Sequence, residues 1–318
     1  MSLKDFAAPW QWPSATIVFW ALLSIAVSST ILIFVLLRAL AISQQTEVPK
    51  CRTRHTPTHL LIVLGSGGHT AEMLSMLRRM PLDPSVYTYR TYIVTSGDSL
   101  SAAKAVEFEA ELEKQKRGDA REERNLHMGD AAGGQYDRVS QADNSSTSGC
   151  RSDSYNIATV PRARRVHQSY LTAPFSTLQC FWACLNVLRG VHPDQKPHPR
   201  SLSSPYPDLI LTNGPATAVC VILAAKLLRL LNFIFAPLTA MKFWGQGRHA
   251  ASNGEKHPAP LQLRTIFVES WARVTTLSLS GKILLPFADR FLVQWPALEG
   301  RSAWRGMRKT EYVGTLVA

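Results

Sequence analysis

Cysteine is scarce in this chain: five residues among 318, odd in number and mostly in apolar settings (Cys51, Cys150, Cys180, Cys184 and Cys220). That fits a reducing compartment better than a disulfide framework. Cys180 and Cys184 fall on an apolar helical stretch and lack the spacing and further ligands of a zinc site. His192 and His198, flanked by Pro193 and Pro197, read as linker, so no metal is expected. There is no G-x-S-x-G, no G-x-G-x-x-G and no glycine loop followed by Lys-Ser/Thr. The nucleophile elbow, the dinucleotide fingerprint and the P-loop are thereby excluded by motif. Acidic residues are locally short: Val160–Arg200 holds six basic residues and one acidic, and Arg290–Lys309 five and one. The net charge of +12 is therefore concentrated, as an anionic partner requires. With no RNA-binding motif or zinc finger beside it, nucleic acid is not the expected partner.

What the chain does have begins with residues 17–37, which are 21 in number and contain neither charge nor proline. At about 1.5 Å per residue such a helix crosses a hydrocarbon core of roughly 30 Å. Trp10, Trp12 and Trp20 gather at one end, and Arg38, Lys50, Arg52 and Arg54 follow the other. The positive-inside rule places residues 1–16 in the lumen and the bulk of the chain in the cytosol. Ala39-Leu40-Ala41 resembles a signal cleavage site, but an apolar core of about 7–15 residues behind a basic start is what a signal peptide needs. The anchor is the favoured reading. A polar linker, 38–58, leads into the rest.

From residue 59 onward, short apolar runs alternate with helical stretches. Strands are expected at His59–Leu64, Tyr89–Thr95, Asn156–Val160, Asp208–Thr212, Thr265–Val268 and Arg290–Gln294. Helices are expected at Thr70–Met80, Ser99–Lys116, Pro174–Arg189, Ala216–Leu231 and Thr275–Leu284. This alternation predicts an α/β fold, a Rossmann-like parallel sheet covered on both faces. Two polar insertions interrupt it, at about 107–153 and 245–260. The first is expected to be disordered over much of its length, because it has too little apolar surface to offset the entropy of ordering. The nearly apolar stretch 216–238 has two readings. It is a core helix of the sheet, or it lies at a membrane surface with Lys226 and Arg229 toward headgroups.

The most informative stretch is His59–Thr70, HLLIVLGSGGHT. An apolar strand runs into a glycine turn, and a helix follows directly. Glycines let a ligand approach the backbone, and the helix start offers unpaired N–H groups and the positive end of its dipole. A phosphate or pyrophosphate is the natural guest. Asn213 and Gly214 stand in a second strand-to-helix crevice, with a plain turn before Pro215 as the alternative.

Five segments in this order resemble a known family: HLLIVLGSGGHTAEMLSML (59–77), VPRARRVHQSYL (160–171), DLILTNGP (208–215), IFVESWARV (266–274) and YVGTLV (312–317). The family is the membrane-anchoring subunit of the eukaryotic UDP-N-acetylglucosamine transferase of the dolichol-linked oligosaccharide pathway. The resemblance implies the acceptor-side half of a GT-B glycosyltransferase behind one amino-terminal transmembrane helix. It implies a single-pass protein of the endoplasmic reticulum membrane that recruits a cytosolic donor-binding catalytic subunit. Together they would add the second N-acetylglucosamine to dolichyl-diphosphate-N-acetylglucosamine, with no cofactor and no turnover by this chain alone. Gly65, Ser66, Gly67, Gly68, Thr70, Arg162, Arg164, Asn213 and Gly214 are then expected at the acceptor diphosphate. His69 and Glu269 are the candidates for proton transfer; each has a binding or structural alternative. Tyr312, Val313, Gly314, Leu316 and Val317 are expected to hold the partner. The chain departs from the family's usual pattern at Ala216, where glycine is usual, and at Arg165, where an acidic residue is. The rival readings are a self-sufficient membrane-bound glycosyltransferase acting on a lipid diphosphate, and a scaffold whose sheet binds no ligand.

Overall fold

A computed structural model describes residues 15–45, 57–80, 82, 83, 86–129, 154–164, 168, 172–197, 202, 204–214, 216–244 and 261–317. The chain divides into two units, Met1–Glu47 and Val48–Ala318.

The first unit holds α1 (Ala15–Gln45), a helix of 31 residues. Ile17, Phe19, Trp20, Leu22 and Ile25 on it are all exposed, which in water would leave a large apolar surface uncovered.

The second unit is a single seven-stranded sheet in the order β3-β2-β1-β4-β5-β6-β7, parallel throughout. Its strands are β1 (His59–Val63), β2 (Tyr89–Thr95), β3 (Tyr155–Val160), β4 (Leu209–Asn213), β5 (Arg264–Val268), β6 (Arg290–Val293) and β7 (Glu311–Tyr312). Helices α2 (Gly68–Arg79), α3 (Ser99–Gly129), α4 (Ala173–Leu188), α5 (Ala216–Trp244) and α6 (Leu279–Leu284) complete it. The continuous apolar run of β1 is what a strand buried on both faces requires. Leu61 and Val63 face the cluster built with α4 and α5, while Leu60 and Ile62 face the one built with α2 and α3. A third cluster packs Phe267 and Phe291 against α5 and α6.

Strand order reverses between β1 and β4, so their carboxyl ends part and open a crevice there, the usual ligand position in such sheets. The glycine turn follows β1, and Asn213-Gly214 closes β4.

Three differences from the expected pattern have physical causes. Residues 117–129, beyond the helix expected at Ser99–Lys116 and inside the insertion expected to be largely disordered, belong to α3. Arg and Glu recur there, and these are strong helix formers despite their polarity. The remainder of that insertion, 130–153, and 245–260 lie outside the described residues. The helix expected at Thr275 starts only at Leu279, because Ser278 caps it by accepting from Gly281 N. The two-residue β7 is too short to show an alternating pattern.

The reading of Lys226 and Arg229 as headgroup contacts is corrected. Ala216–Phe233 within α5 is long and apolar enough to cross a membrane. Yet Ala218, Val221, Ile222, Ala224 and Ala225 are buried on the sheet. Lys226 Nζ donates to Asp289 Oδ1 at 2.6 Å, and Arg229 donates to Asp289 Oδ2 at 2.7 Å. Burial works against the Asp289 carboxylate, but the two cations and the Thr265 N–H hold its pKa below the usual range. The first half of α5 is a core helix clipped to the start of β6, while Leu231, Phe233 and Phe235 further along it are exposed.

Candidate functional site

The site is built at the carboxyl ends of β1, β4, β5 and β6. Gly65 is buried, and Ser66, Gly67 and Gly68 are exposed. Gly67 caps α2 with φ 64° and ψ −123°, a conformation that suits glycine alone, and its side-chain-less edge is open. No side chain caps the helix, so its first N–H groups face the crevice without a protein cap. Thr70 is buried; its hydroxyl donates to the Gly65 carbonyl and pairs with Ser101 Oγ at 2.7 Å. The side chain closes the loop, and only its backbone is left for a ligand.

His69 opens α2 with its ring laid against Gly214, where a Cβ would stand 2.7 Å from Cγ and 2.8 Å from Nδ1. Gly214 has φ 87°. Beside it Asn213 is fully buried; neither amide atom makes a well-formed hydrogen bond, but the amide lies close enough to Glu72 to stabilise that carboxylate.

Glu72 was not anticipated. It is buried one helical turn below His69, and its Oε2 lies 3.7 Å from His69 Nδ1. Oε1 accepts from Trp271 N at 2.5 Å and Gln294 Nε2 at 2.9 Å; Oε2 accepts from Ser270 Oγ at 3.1 Å. Burial alone would raise its pKa. His69, Asn213, the Trp271 N–H and Gln294 outweigh it and hold the carboxyl at about 2. The pair His69-x-x-Glu72 on one helix face was the available signal.

Glu269 lies elsewhere. It ends β5 on the α6 side, where its Oε2 accepts from Ser278 N at 3.1 Å and Ser278 Oγ at 3.2 Å. Burial raises its pKa against those donors. Its carboxylate shapes the start of α6, and α2 with His69 packs on the opposite face of the sheet.

Comparison with known proteins decides the family. The model of the family described as "Oligosaccharide biosynthesis protein Alg14 like" matches residues 60–128 and 119–316. A relative from Aspergillus fumigatus, UDP-N-acetylglucosamine transferase subunit alg14, is 58% identical over 250 residues, 77% of this chain and 100% of that protein. The chain belongs to the Alg14 family. The Schizosaccharomyces pombe protein of the same name is 33% identical over 258 residues, 80% of this chain and 82% of its own. The human one is 28% identical over 292 residues, 92% and 96% of the two chains. No solved structure matches.

The Alg14 match reaches residue 316 and so includes both the arginine segment and the tail. Arg162 Nε donates to the Ser96 carbonyl at 2.9 Å, which ties the end of β3 to the turn after β2. That turn carries Asp98, which accepts from Ser101 Oγ at 2.7 Å, and Ser101 in turn meets Thr70. Arg162 thus braces the glycine loop through its neighbours; Arg164 is exposed, and Arg165 lies outside the described residues. In the tail, Tyr312 and Val313 are exposed, and Gly314 turns the chain with φ 77°. Leu316 and Val317 pack on the cluster of α2.

Proposed function

We propose that this chain is the membrane-anchored, acceptor-side subunit of a UDP-N-acetylglucosamine transferase of the N-glycan precursor pathway, acting at the cytosolic face of the endoplasmic reticulum. The observation that carries this reading is the crevice between β1 and β4. There a bare helix start and an open glycine edge meet the ring of His69, laid against Gly214. A diphosphate takes the N–H groups of Gly67, Gly68 and His69, as helix starts bind such groups generally. The lipid of dolichyl-diphosphate-N-acetylglucosamine stays in the bilayer that α1 enters. The acceptor hydroxyl attacks the anomeric carbon of UDP-N-acetylglucosamine; the bond to UDP breaks, and His69 takes the hydroxyl proton. Glu269 holds α6 in place instead of moving a proton.

The sugar nucleotide belongs to a donor-binding partner. Family membership supports this, since the relatives are named as subunits. So does the exposure of Trp271, Val274, Tyr312 and Val313 at the same end of the sheet, where a second half would close over the crevice.

The deciding experiment reconstitutes the full chain in lipid with acceptor and UDP-N-acetylglucosamine. No turnover is expected until the donor-binding subunit is added. Turnover by the lone chain would establish the self-sufficient alternative instead. In the reconstituted complex His69→Ala lowers turnover about 10²-fold or more with acceptor binding retained. Glu269→Ala lowers thermal stability first, with activity following the folded fraction.

A further inference from the structure

Glu72, Gln294 and Leu316 form a connected set that runs from the crevice to the tail. The ring of His69 retains 36% of its surface while its Nδ1 is wholly buried and has no hydrogen-bond partner. Gly214 closes over Cγ, Nδ1 and Cδ2, so the exposure lies on the edge that carries Nε2. The anion beside Nδ1 is Glu72 at 3.7 Å. A lone pair turned toward a carboxylate would be repelled, and a proton there is attracted, so the carboxylate selects the tautomer. Gln294 is buried, and its amide has one usable orientation. Nε2 donates to Glu72 Oε1 at 2.9 Å and to the Glu269 carbonyl at 3.1 Å, while Oε1 accepts from Leu316 N at 3.0 Å. A flipped amide would lose all three.

We propose that Glu72 is the positioning residue of this site. Its carboxylate keeps the proton of the neutral His69 ring on Nδ1 and presents Nε2 to the acceptor, and Gln294 links that arrangement to the seating of the tail at Leu316. The functional part rests on His69 acting as base; the tautomer itself does not. The tail packs on α2 next to residues expected to meet the partner, so partner binding and the state of His69 are coupled through one buried amide.

The test uses the full chain in lipid nanodiscs with ¹⁵N-labelled histidine rings, at a pH where the ring is neutral. Its nine histidines require assignment of His69 through a His69→Asn spectrum. The wild type is expected to show the proton on Nδ1. Glu72→Gln, whose amide accepts either tautomer, shifts the population toward Nε2–H several-fold. In the complex with the donor-binding subunit the same variant loses about 10-fold or more in kcat with KM changed little, and Glu72→Asp recovers part of both. Unchanged ring shifts in Glu72→Gln overturn the proposal, as does a shifted tautomer with unaltered kcat. Should Glu72→Gln fail to fold, Gln294→Met leaves the carboxylate in place and cuts the link. It is expected to give mixed tautomers, and a wild-type spectrum would reject the coupling. Inorganic diphosphate added to wild type carrying ¹⁵N-labelled glycine separates this from the function above. Failure to move the Gly67 and Gly68 amide signals rejects the phosphate loop and leaves the tautomer result standing.

Discussion

Gly214 is glycine for two separate reasons, its φ of 87° and the His69 ring 2.7 Å from where a Cβ would be. Gly214→Ala therefore costs about 1–2 kcal/mol from the left-handed backbone alone. It also pushes the ring away from Glu72; denaturant unfolding and acceptor binding should both worsen. The two buried glutamates respond to pH with opposite sign. The folded-state pKa of Glu72, about 2, lies below its ordinary 4.5, so its contribution is full above about 4.5 and is lost as pH falls toward 2. That of Glu269 is raised, so its contribution is full below the ordinary value and declines as pH rises through the raised one. Unfolding measured from pH 6 down to pH 3 should show an acid-side loss in the wild type that is much reduced in Glu72→Gln. His69 and the glycines were legible because their spacing after an apolar strand has a chemical meaning. Glu72 was not, because a glutamate on an amphipathic helix ordinarily faces water, and only the fold brings Trp271 and Gln294 to it.

Among the elements, β2 begins and ends where the apolar pattern places it, and the other five expected strands shift by a residue or so. Strands buried on both faces carry the strongest signal a sequence has. The ends of α3 and α5 were harder to read, because a charged helix and a loop share a composition and an apolar helix suits core and bilayer alike. Asp289 settles the roles of Lys226 and Arg229 by receiving both from α5. Removing that carboxylate leaves two cations partly buried without it. Asp289→Ala should lower unfolding free energy by about 3–5 kcal/mol. Lys226→Met, which keeps Arg229 in place, should cost much less. At α6 the Ser278 hydroxyl both caps the helix and donates to Glu269, so Ser278→Ala should cost about 1 kcal/mol in thermal or denaturant unfolding.

For the whole molecule, the division at residue 47 implies that the sheet unit carries its own stability. A chain starting at residue 48 should keep its unfolding midpoint within a few degrees and lose membrane association; a collapse of the midpoint would show that α1 is needed for folding. The sheet order was legible only in part: strand–helix alternation predicts parallel pairing, but composition does not say which strand lies at the centre. The family resemblance supplied what periodicity lacked, the expectation that the unit is one subunit of a transferase. The central place of β1 has a temporal consequence. Its β4 neighbour is far along the chain, and His59 donates its N–H to Asp208, 149 residues later. At about 5–20 residues per second on the ribosome, β1 waits roughly 7–30 s for that edge to be covered. During that interval the nascent chain carries a finished hydrophobic strand with one open side, behind an α1 that is itself apolar and exposed. Its birth is the moment when this protein most needs a chaperone, and early termination anywhere before β4 would leave a sticky fragment.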